Sequence, residues 1–272
     1  METQDKNKIG FNVKRIIVAV IVLPLLISYI NFLPLPFFLG LLLIIAMLAT
    51  REFYLMYGLP VSLHVPGVLI GGGLLYLSCQ YPVHFLEGIF VSLLLLLILR
   101  LFVIKTPSGS MSDIGLLGVG FFYISGFLSF QWFIRIEDNG LKYIFLLYAS
   151  VWIADSMAYY IGKYMGRNKL YPSVSPNKTI EGAVGSLIGG GLGALLIKYT
   201  LDISGLTASA AISIGIALGI ATLVGDLIES MFKRDAGVKD SSSIIPGHGG
   251  LLDKIDGHLV AGPVLYFIVR YF

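Results

Sequence analysis

The feature that most constrains this chain is a succession of long apolar runs joined by mostly short polar connections. A helix needs about 20 predominantly apolar residues to cross the roughly 30 Å of hydrocarbon in a bilayer. By that rule the chain has about nine candidate spans. They lie near residues 15–33, 35–57, 65–80, 85–104, 113–134, 141–163, 180–200, 208–232 and 252–272. The sequence therefore predicts an all-α fold, a polytopic transmembrane helical bundle surrounded by membrane lipid.

Composition excludes several other classes of protein. Charged residues make up 13% of the 272 residues and hydrophobic residues 56%, whereas soluble domains carry about 25% charged residues. The net charge is +3, and no basic stripe with interleaved aromatic residues occurs, so nucleic acid is not an expected partner. Cys79 is the single cysteine, which excludes an intramolecular disulfide and a cysteine metal cluster.

The distribution of Lys and Arg predicts how the spans are oriented, because cytoplasmic connections carry an excess of positive charge. With the N-terminus inside, 15 of the 19 Lys and Arg residues fall on the cytoplasmic side. The others are Arg135, Lys142, Lys198 and Arg270. We expect a multi-pass protein of the inner (plasma) membrane with an N-in, C-out topology. The first span is expected to be uncleaved, since no small-residue cleavage site follows it.

We expect residues 1–272 to form a single integral membrane domain without a separate soluble domain. Two polar segments, 162–181 and 233–250, are rich in Gly, Pro, Ser, Asn and Lys, which predicts ordered loops. The topology puts both segments on the cytoplasmic side. The chain therefore divides into N-terminal helices, about 15–134, and a catalytic C-terminal half, about 141–272.

Gly185, Gly189 and Gly193 follow one another at four-residue spacing in the seventh span. Small residues at that spacing let two membrane helices approach closely. The pattern predicts helix packing rather than a phosphate-binding turn, and glycine-rich helix faces also allow a homodimer.

Acidic residues occur inside the predicted spans, where each charge costs about 2.5–3.5 kcal/mol on insertion scales. Asp155 lies in the sixth span, Asp226 and Glu229 lie in the eighth, and Asp253 and Asp256 begin the ninth. An interhelical ion pair or hydrogen bond would explain any one of them alone. Because all lie near the predicted cytoplasmic side, we favour a functional site.

Helical spacing brings several of these groups onto shared faces. Asp253 and Asp256 are three residues apart, and Asp226, Ser230 and Lys233 follow at separations of four and three. Two helices can therefore present carboxylates to each other at the membrane surface. Oxygen ligands without His or Cys suit Mg²⁺, which takes one or two carboxylates together with substrate phosphates.

A glycine-rich turn, residues 246–250, stands just before the ninth span, and Lys233, Arg234, Lys239 and His248 flank or belong to it. Glycines at a helix N-terminus let backbone N–H groups approach an anion. A plain tight turn, and a simple hydrogen-bonded role for His248, remain the alternatives. Together with the carboxylates, the segment indicates phosphoryl or nucleotidyl transfer. No Walker A, HExxH or GxSxG motif occurs, which gives no support to an ATPase, metalloprotease or serine hydrolase.

Residues 230–256 resemble the signature of the phosphatidate cytidylyltransferase (CDP-diacylglycerol synthase) family. That signature consists of Ser, Lys-Arg, Lys-Asp, Pro-x-His-Gly-Gly and Asp-Arg-x-Asp at set spacings, and its fixed positions match except that Lys254 replaces the usual Arg. Two further blocks, within 155–162 and 175–182, are similar to the same family. The motifs cover the C-terminal half, and the hydropathy resembles the family throughout.

The resemblance implies transfer of CMP from CTP to phosphatidic acid, giving CDP-diacylglycerol and pyrophosphate in phospholipid biosynthesis. No covalent enzyme intermediate is implied, so the protein would position the substrates and neutralise charge at the cytoplasmic face. The family also implies Mg²⁺ and allows a second cation such as K⁺. Lys254 in place of the usual Arg argues against any role at this position that needs a bidentate guanidinium, because the Lys amine is only a point charge.

By motif match, the resemblance distributes the candidate residues among three roles. The metal ligands are Asp226, Asp253 and Asp256. The catalytic groups, which would hold phosphates, are Lys233, Arg234, Lys239 and His248. The substrate-binding residues are Lys178, Asn177, Ser175, Gly249, Gly250 and Asp155, with Lys178 also a phosphate-binding cation.

Two other functions remain open from the sequence. A related CTP-dependent lipid enzyme, such as a polyprenol kinase or another lipid cytidylyltransferase, resembles this architecture, and the acceptor pocket cannot be read from the chain. An ion-coupled transporter using Asp155 and Asp226 is less favoured. Transporters often carry internal repeats with broken helices in both halves, whereas this chain concentrates its charge in the C-terminal half on one side.

Overall fold

The computed structural model describes residues 24–244 and 249–271, which form a helical bundle with one small β-hairpin. Residues 24–32 are helical and are called α1. The remaining helices are α2 (Leu35–Met56), α3 (Val61–Gln80), α4 (Phe85–Val103), α5 (Ser110–Gly120), α6 (Phe127–Ile136), α7 (Gly140–Met165), α8 (Ile180–Leu201), α9 (Ala208–Asp235) and α10 (Leu252–Tyr271). A π-helical turn, Phe121–Gly126, makes α5 and α6 continuous.

Seven helices in the described part of the chain are long and apolar enough to cross a membrane, which confirms a helical membrane bundle. They are α2, α3, α4 with its preceding turn, the continuous α5–α6 helix, α7, α8 and α9. The predicted first span lies largely outside the described residues. The predicted last span is helix α10, which is not among the seven because Asp253, Lys254, Asp256 and Arg270 lower its apolar character.

The C-terminal helices pack backbone against backbone through glycine. A Cβ added to Gly189 would lie 2.6 Å from the Ile153 carbonyl oxygen of α7, and one added to Gly193 would lie 2.6 Å from the Ser150 Cα. On the other side of α8, a Cβ at Gly219 of α9 would lie 2.5 Å from the Ser186 oxygen. The prediction that the glycines of the seventh span serve close helix packing is therefore confirmed.

The N-terminal helices join this unit through buried aromatic and polar contacts. Phe53 of α2 packs edge-on against Phe232 of α9, with ring centroids 5.3 Å apart. The indole of Trp132 in α6 donates a 2.9 Å hydrogen bond to the Cys79 carbonyl of α3, and α6 also packs against α10. The two halves of the chain therefore share one core.

The sequence predicts an ordered loop over 162–181, and the structure instead has regular secondary structure there. Strand β1 (Lys169–Tyr171) pairs antiparallel with β2 (Ser175–Thr179), which makes a hairpin between α7 and α8. The Thr179 hydroxyl caps α8 by accepting from the Gly182 N–H at 3.1 Å. The Glu181 carboxylate accepts from the Arg167 N–H at 3.1 Å, which holds the hairpin against the helix.

Candidate active site

A cavity of about 680 Å³ lies where α7, α8, α9 and α10 meet strand β2. The hairpin places its polar residues beside the acidic residues of three helices. Eight residues of the set predicted from the sequence line this cavity: Asp155, Ser175, Asn177, Lys178, Asp226, Lys233, Asp253 and Asp256. The structure therefore brings together most of the predicted site residues that it describes.

The close approach of α9 to α10 depends on Gly225. A Cβ added to Gly225 would overlap the Asp256 carbonyl oxygen and lie 3.0 Å from the Gly257 Cα. Only a glycine lets the two backbones come this near. Asp226 follows Gly225 directly, so this contact sets the separation between the Asp226 and Asp256 carboxylates.

Three carboxylates converge inside the cavity: Asp226, Glu229 and Asp256 each offer an oxygen, and these oxygens lie within 4.8 Å of one another. Glu229 is 1% exposed and Asp256 is 9% exposed. The Oε1 atom of Glu229 is buried without a hydrogen-bond partner in the described part of the chain. Buried anionic oxygens need a positive partner, and an all-oxygen set suits Mg²⁺. These residues fit a divalent cation.

Two lysines border the same carboxylates. Lys178 reaches from β2 and forms an ion pair with Asp226. The amine of Lys233 lies 2.5 Å from Glu229 and 2.6 Å from Asp253. Each amine contacts an acid that faces the cavity. Two positive charges therefore lie beside the acidic cluster, where they could bind a phosphate.

The contacts of Asp253 are with protein donors. Its Oδ2 atom accepts from the Gly250 N–H at 2.7 Å, from the Ser241 N–H at 3.1 Å and from the Ser241 hydroxyl at 3.0 Å. Its Oδ1 atom accepts from Lys233. The sequence groups Asp253 with the metal ligands; in the structure Glu229, rather than Asp253, completes the converging set with Asp226 and Asp256. The identity of the metal ligands stays a prediction.

Other predicted residues lie away from the cavity lining. The Arg234 guanidinium donates to the carbonyls of Val174 at 3.3 Å and Val238 at 3.2 Å. Lys239 is exposed in the segment that follows α9. Gly249 has a positive φ of 85°, and the Gly250 N–H is occupied by Asp253 instead of facing an external anion. His248 lies outside the described residues.

Two acidic residues lie in or beside the site although the motif match gives neither of them a role there. Glu229 is predicted as an intramembrane charge but has no metal role in the motif match, and the structure places it between Lys233 and the other acids. Glu52 is absent from the predicted site, yet it contacts the segment that carries Asp253. Its position inside the second predicted span is the signal that could have identified it.

The fold and cavity define a class: a polytopic helical membrane protein with an acidic pocket that two lysines border. The chain matches the model of the Cytidylyltransferase family over residues 13–272. It belongs to that family.

Three similar proteins, each named phosphatidate cytidylyltransferase, extend the comparison. One from Bacillus subtilis (strain 168) is 35% identical over 218 residues, which are 76% of this chain and 80% of that protein. One from Synechocystis sp. is 44% identical over 136 residues, 48% of this chain and 44% of that protein. One from Staphylococcus haemolyticus is 40% identical over 142 residues, 52% of this chain and 54% of that protein. This chain therefore matches about half the length of the latter two.

Proposed function

We propose that this protein is a phosphatidate cytidylyltransferase, which transfers CMP from CTP to phosphatidic acid in phospholipid biosynthesis. The observation that carries the proposal is the acidic cluster of Asp226, Glu229 and Asp256, bordered by Lys178 and Lys233 in a membrane bundle. Family membership and the names of the relatives support the same activity.

The reaction needs positioning and charge neutralisation more than covalent chemistry. A phosphate oxygen of phosphatidic acid forms a bond to the α-phosphorus of CTP, and the bond from that phosphorus to the α–β bridging oxygen breaks. The electron pair leaves with pyrophosphate. Lys178 and Lys233 lie where they can neutralise phosphate oxygens, while Asn177 and Ser175 of β2 supply hydrogen-bonding groups at the cavity wall.

Asp226, Glu229 and Asp256 would hold the Mg²⁺ of this reaction, with Asp253 positioned beside them through Lys233. When bound, Mg²⁺ supplies positive charge that binds and polarises phosphate oxygens. A second cation such as K⁺ is part of the proposal because the sequence resemblance allows it. Chelation of divalent cations should abolish turnover, and added Mg²⁺ should restore it.

The proposed setting is the inner (plasma) membrane, with about nine spans, an N-in, C-out orientation and the cavity facing the cytoplasm. The arrangement of helix ends supports it. Lys142 donates to the Asp202 carbonyl at 2.8 Å and Arg270 pairs with Glu137 at 3.4 Å. The first contact joins the start of α7 to the residue that follows α8, and the second joins the end of α10 to the residue that follows α6. Both lie at the end of the bundle away from the cavity. A homodimer is compatible with the glycine-rich helix faces.

The closest rivals are other CTP-dependent lipid enzymes, and the position of the transferred phosphorus separates them. Purified protein should be incubated with CTP labelled at the α- or the γ-phosphate and with phosphatidate or a polyprenol as acceptor. A cytidylyltransferase moves the α-label into phosphatidate, whereas a kinase moves the γ-label into polyprenol. Transfer of α-label to phosphatidate is expected. Transfer of γ-label, or of α-label to polyprenol alone, would contradict the proposal.

A further inference from the structure

Glu52 is a buried carboxylate from the N-terminal half that meets the segment leading into α10. It lies one turn before the end of α2 and is 1% exposed. Its Oε1 atom accepts from the Ser242 hydroxyl at 2.6 Å and from the Leu251 N–H at 3.0 Å. Its Oε2 atom accepts from the Leu252 N–H at 2.8 Å and from the Ser241 hydroxyl at 3.2 Å. Each oxygen therefore has one backbone and one hydroxyl donor.

These donors explain how the Glu52 carboxylate is tolerated in a buried position. A buried charge is costly unless hydrogen bonds compensate it, and hydrogen bonds to an ionised acceptor are stronger than neutral ones. The first N–H groups of a helix have no partner within the helix, and a negative charge near them is favourable. Glu52 thus provides the anion for the start of α10, about 200 residues away in the chain.

The same contacts lead directly to the cavity. The Ser241 hydroxyl lies 3.2 Å from Glu52 Oε2 and 3.0 Å from Asp253 Oδ2, and Asp253 in turn contacts Lys233 at 2.6 Å. A Cβ added to Gly250 would lie 2.5 Å from Glu52 Oε2 and would overlap the Ser241 hydroxyl. The packing around Glu52 therefore leaves little freedom to Gly250, whose N–H binds Asp253.

We propose that Glu52 is a positioning residue of the active site. It fixes the first turn of α10, and with it the place of Asp253 and Asp256, relative to α9. The N-terminal helices are on this view part of the active-site framework rather than only a membrane anchor. The role in turnover rests on the proposed cytidylyltransferase function; the role in ordering the start of α10 does not.

The test uses Glu52→Gln, which keeps the size of the side chain but replaces one acceptor oxygen with an NH₂ donor. Whichever way the amide turns, that NH₂ faces the N–H of Leu251 or Leu252. In the purified full-length protein, hydrogen exchange of a peptide covering 249–256 should become about tenfold faster. The catalytic rate constant should fall about 10- to 100-fold, and the Mg²⁺ concentration for half-maximal activity should rise, while KM for phosphatidate changes little.

Controls distinguish positioning from a general loss of stability. Glu87→Gln alters an exposed acid that lies 3.8 Å from His84, and both measurements should match the parent. Ser242→Ala removes one donor to Glu52, and it should give a smaller change in the same direction if Glu52→Gln fails to fold. Parental exchange and parental turnover in Glu52→Gln would overturn the proposal.

Two mixed outcomes are also decisive. Faster exchange with unchanged turnover and unchanged Mg²⁺ dependence would overturn the positioning role, because Glu52 would then only cap α10. If the parent protein shows slow hydrogen exchange over 249–256 but does not use CTP, the proposed function is overturned. The difference in exchange between Glu52→Gln and the parent would still decide whether Glu52 orders the start of α10.

Discussion

Acidic side chains of the helices lie in two different environments in this protein. Asp226, Glu229 and Asp256 converge on one point of the cavity, and one Glu229 oxygen has no partner among the described residues. Asp253 and Glu52 instead accept hydrogen bonds from the segment before α10 and from its first turn. The converging acids suit a bound cation, whereas the hydrogen-bonded acids order the backbone that presents them.

The converging acids should be individually essential. Asp226→Asn, Glu229→Gln and Asp256→Asn should each lower kcat/KM about a thousandfold, which corresponds to about 4 kcal/mol of transition-state stabilisation. Pairs of these changes should cost little more than single ones, because ligands of one cation act as a unit. The measurement is steady-state kinetics, made on variants whose melting temperature equals that of the parent protein. Glu137→Gln, in the exposed pair with Arg270, is the matched control, and near-parental activity in any of the three variants would contradict the assignment.

Lys254 offers a separate test, since it replaces the Arg of the family signature. Its side chain is exposed in the first turn of α10. If it contributes only positive charge near a phosphate, Lys254→Arg should keep most activity and Lys254→Ala should lose about tenfold in kcat/KM. Kinetics at two ionic strengths would check the electrostatic origin. An alanine variant as active as the parent would show that Lys254 is a solvated charge without a role in turnover.

Asp226 and Asp256, where a motif and a membrane charge coincide in the sequence, lie together at the cavity, and their role stays a prediction. Prediction from the sequence is less complete elsewhere. It fails at Glu52, although the same rule about charges in spans applies there. The partners of Glu52 are backbone N–H groups and hydroxyls about 190 to 200 residues later. No spacing pattern within one helix predicts a contact of that kind.

At the scale of elements, the site depends on how closely α9 and α10 approach. Gly225→Ala should force the backbones apart and cost about 1–3 kcal/mol of stability by overpacking. It should also reduce turnover, because Asp226 and Asp256 separate with the helices. Thermal unfolding and kinetics measure the two effects.

Gly118→Ala is the matched control, since a Cβ there meets nothing within 4 Å. This helical position should tolerate or slightly favour alanine, because glycine is the poorer helix former. A Gly225→Ala protein with parental stability and turnover would show that the close helix contact is not needed.

The hairpin of β1 and β2 is an element that the sequence did not predict. Residues 162–181 contain the turn-forming residues of an ordered loop, and β1 has only three residues, too few for a clear alternating pattern. Its order comes from non-local contacts, including the Glu181 carboxylate on Arg167 and Asn168 and the ion pair of Lys178 with Asp226. The seven candidate membrane helices were predictable because each is a long apolar run.

At the scale of the whole molecule, the distribution of Lys and Arg predicts the orientation of the bundle in the bilayer. Single cysteines at Lys105, Lys178 and Lys239 should react with an impermeant reagent only from the cytoplasmic side, and those at Arg135 and Lys198 only from outside. The background should lack Cys79, which is buried. Labelling of position 178 or 239 from outside would contradict the predicted orientation.

Hydropathy predicted a helical membrane bundle, and the described part of the chain confirms it, because bilayer thickness fixes the length of a span. Seven predicted spans correspond to helices α2 to α9 with α5 and α6 joined. The tertiary arrangement was less predictable. The division at about residue 134 separates α2 from the site, whereas Glu52 and Phe53 of α2 contact the segment before α10 and helix α9.

The most direct measurement is a crystal structure of the protein with a non-hydrolysable CTP analogue and Mn²⁺, located by its anomalous scattering. The anomalous peak should lie within about 2.0–2.6 Å of oxygens from Asp226, Glu229 or Asp256. The nucleotide phosphates should lie between that peak and the amines of Lys178 and Lys233. A cation and nucleotide bound elsewhere, with this cavity holding neither, would contradict the central claim that this cavity is the site of nucleotidyl transfer.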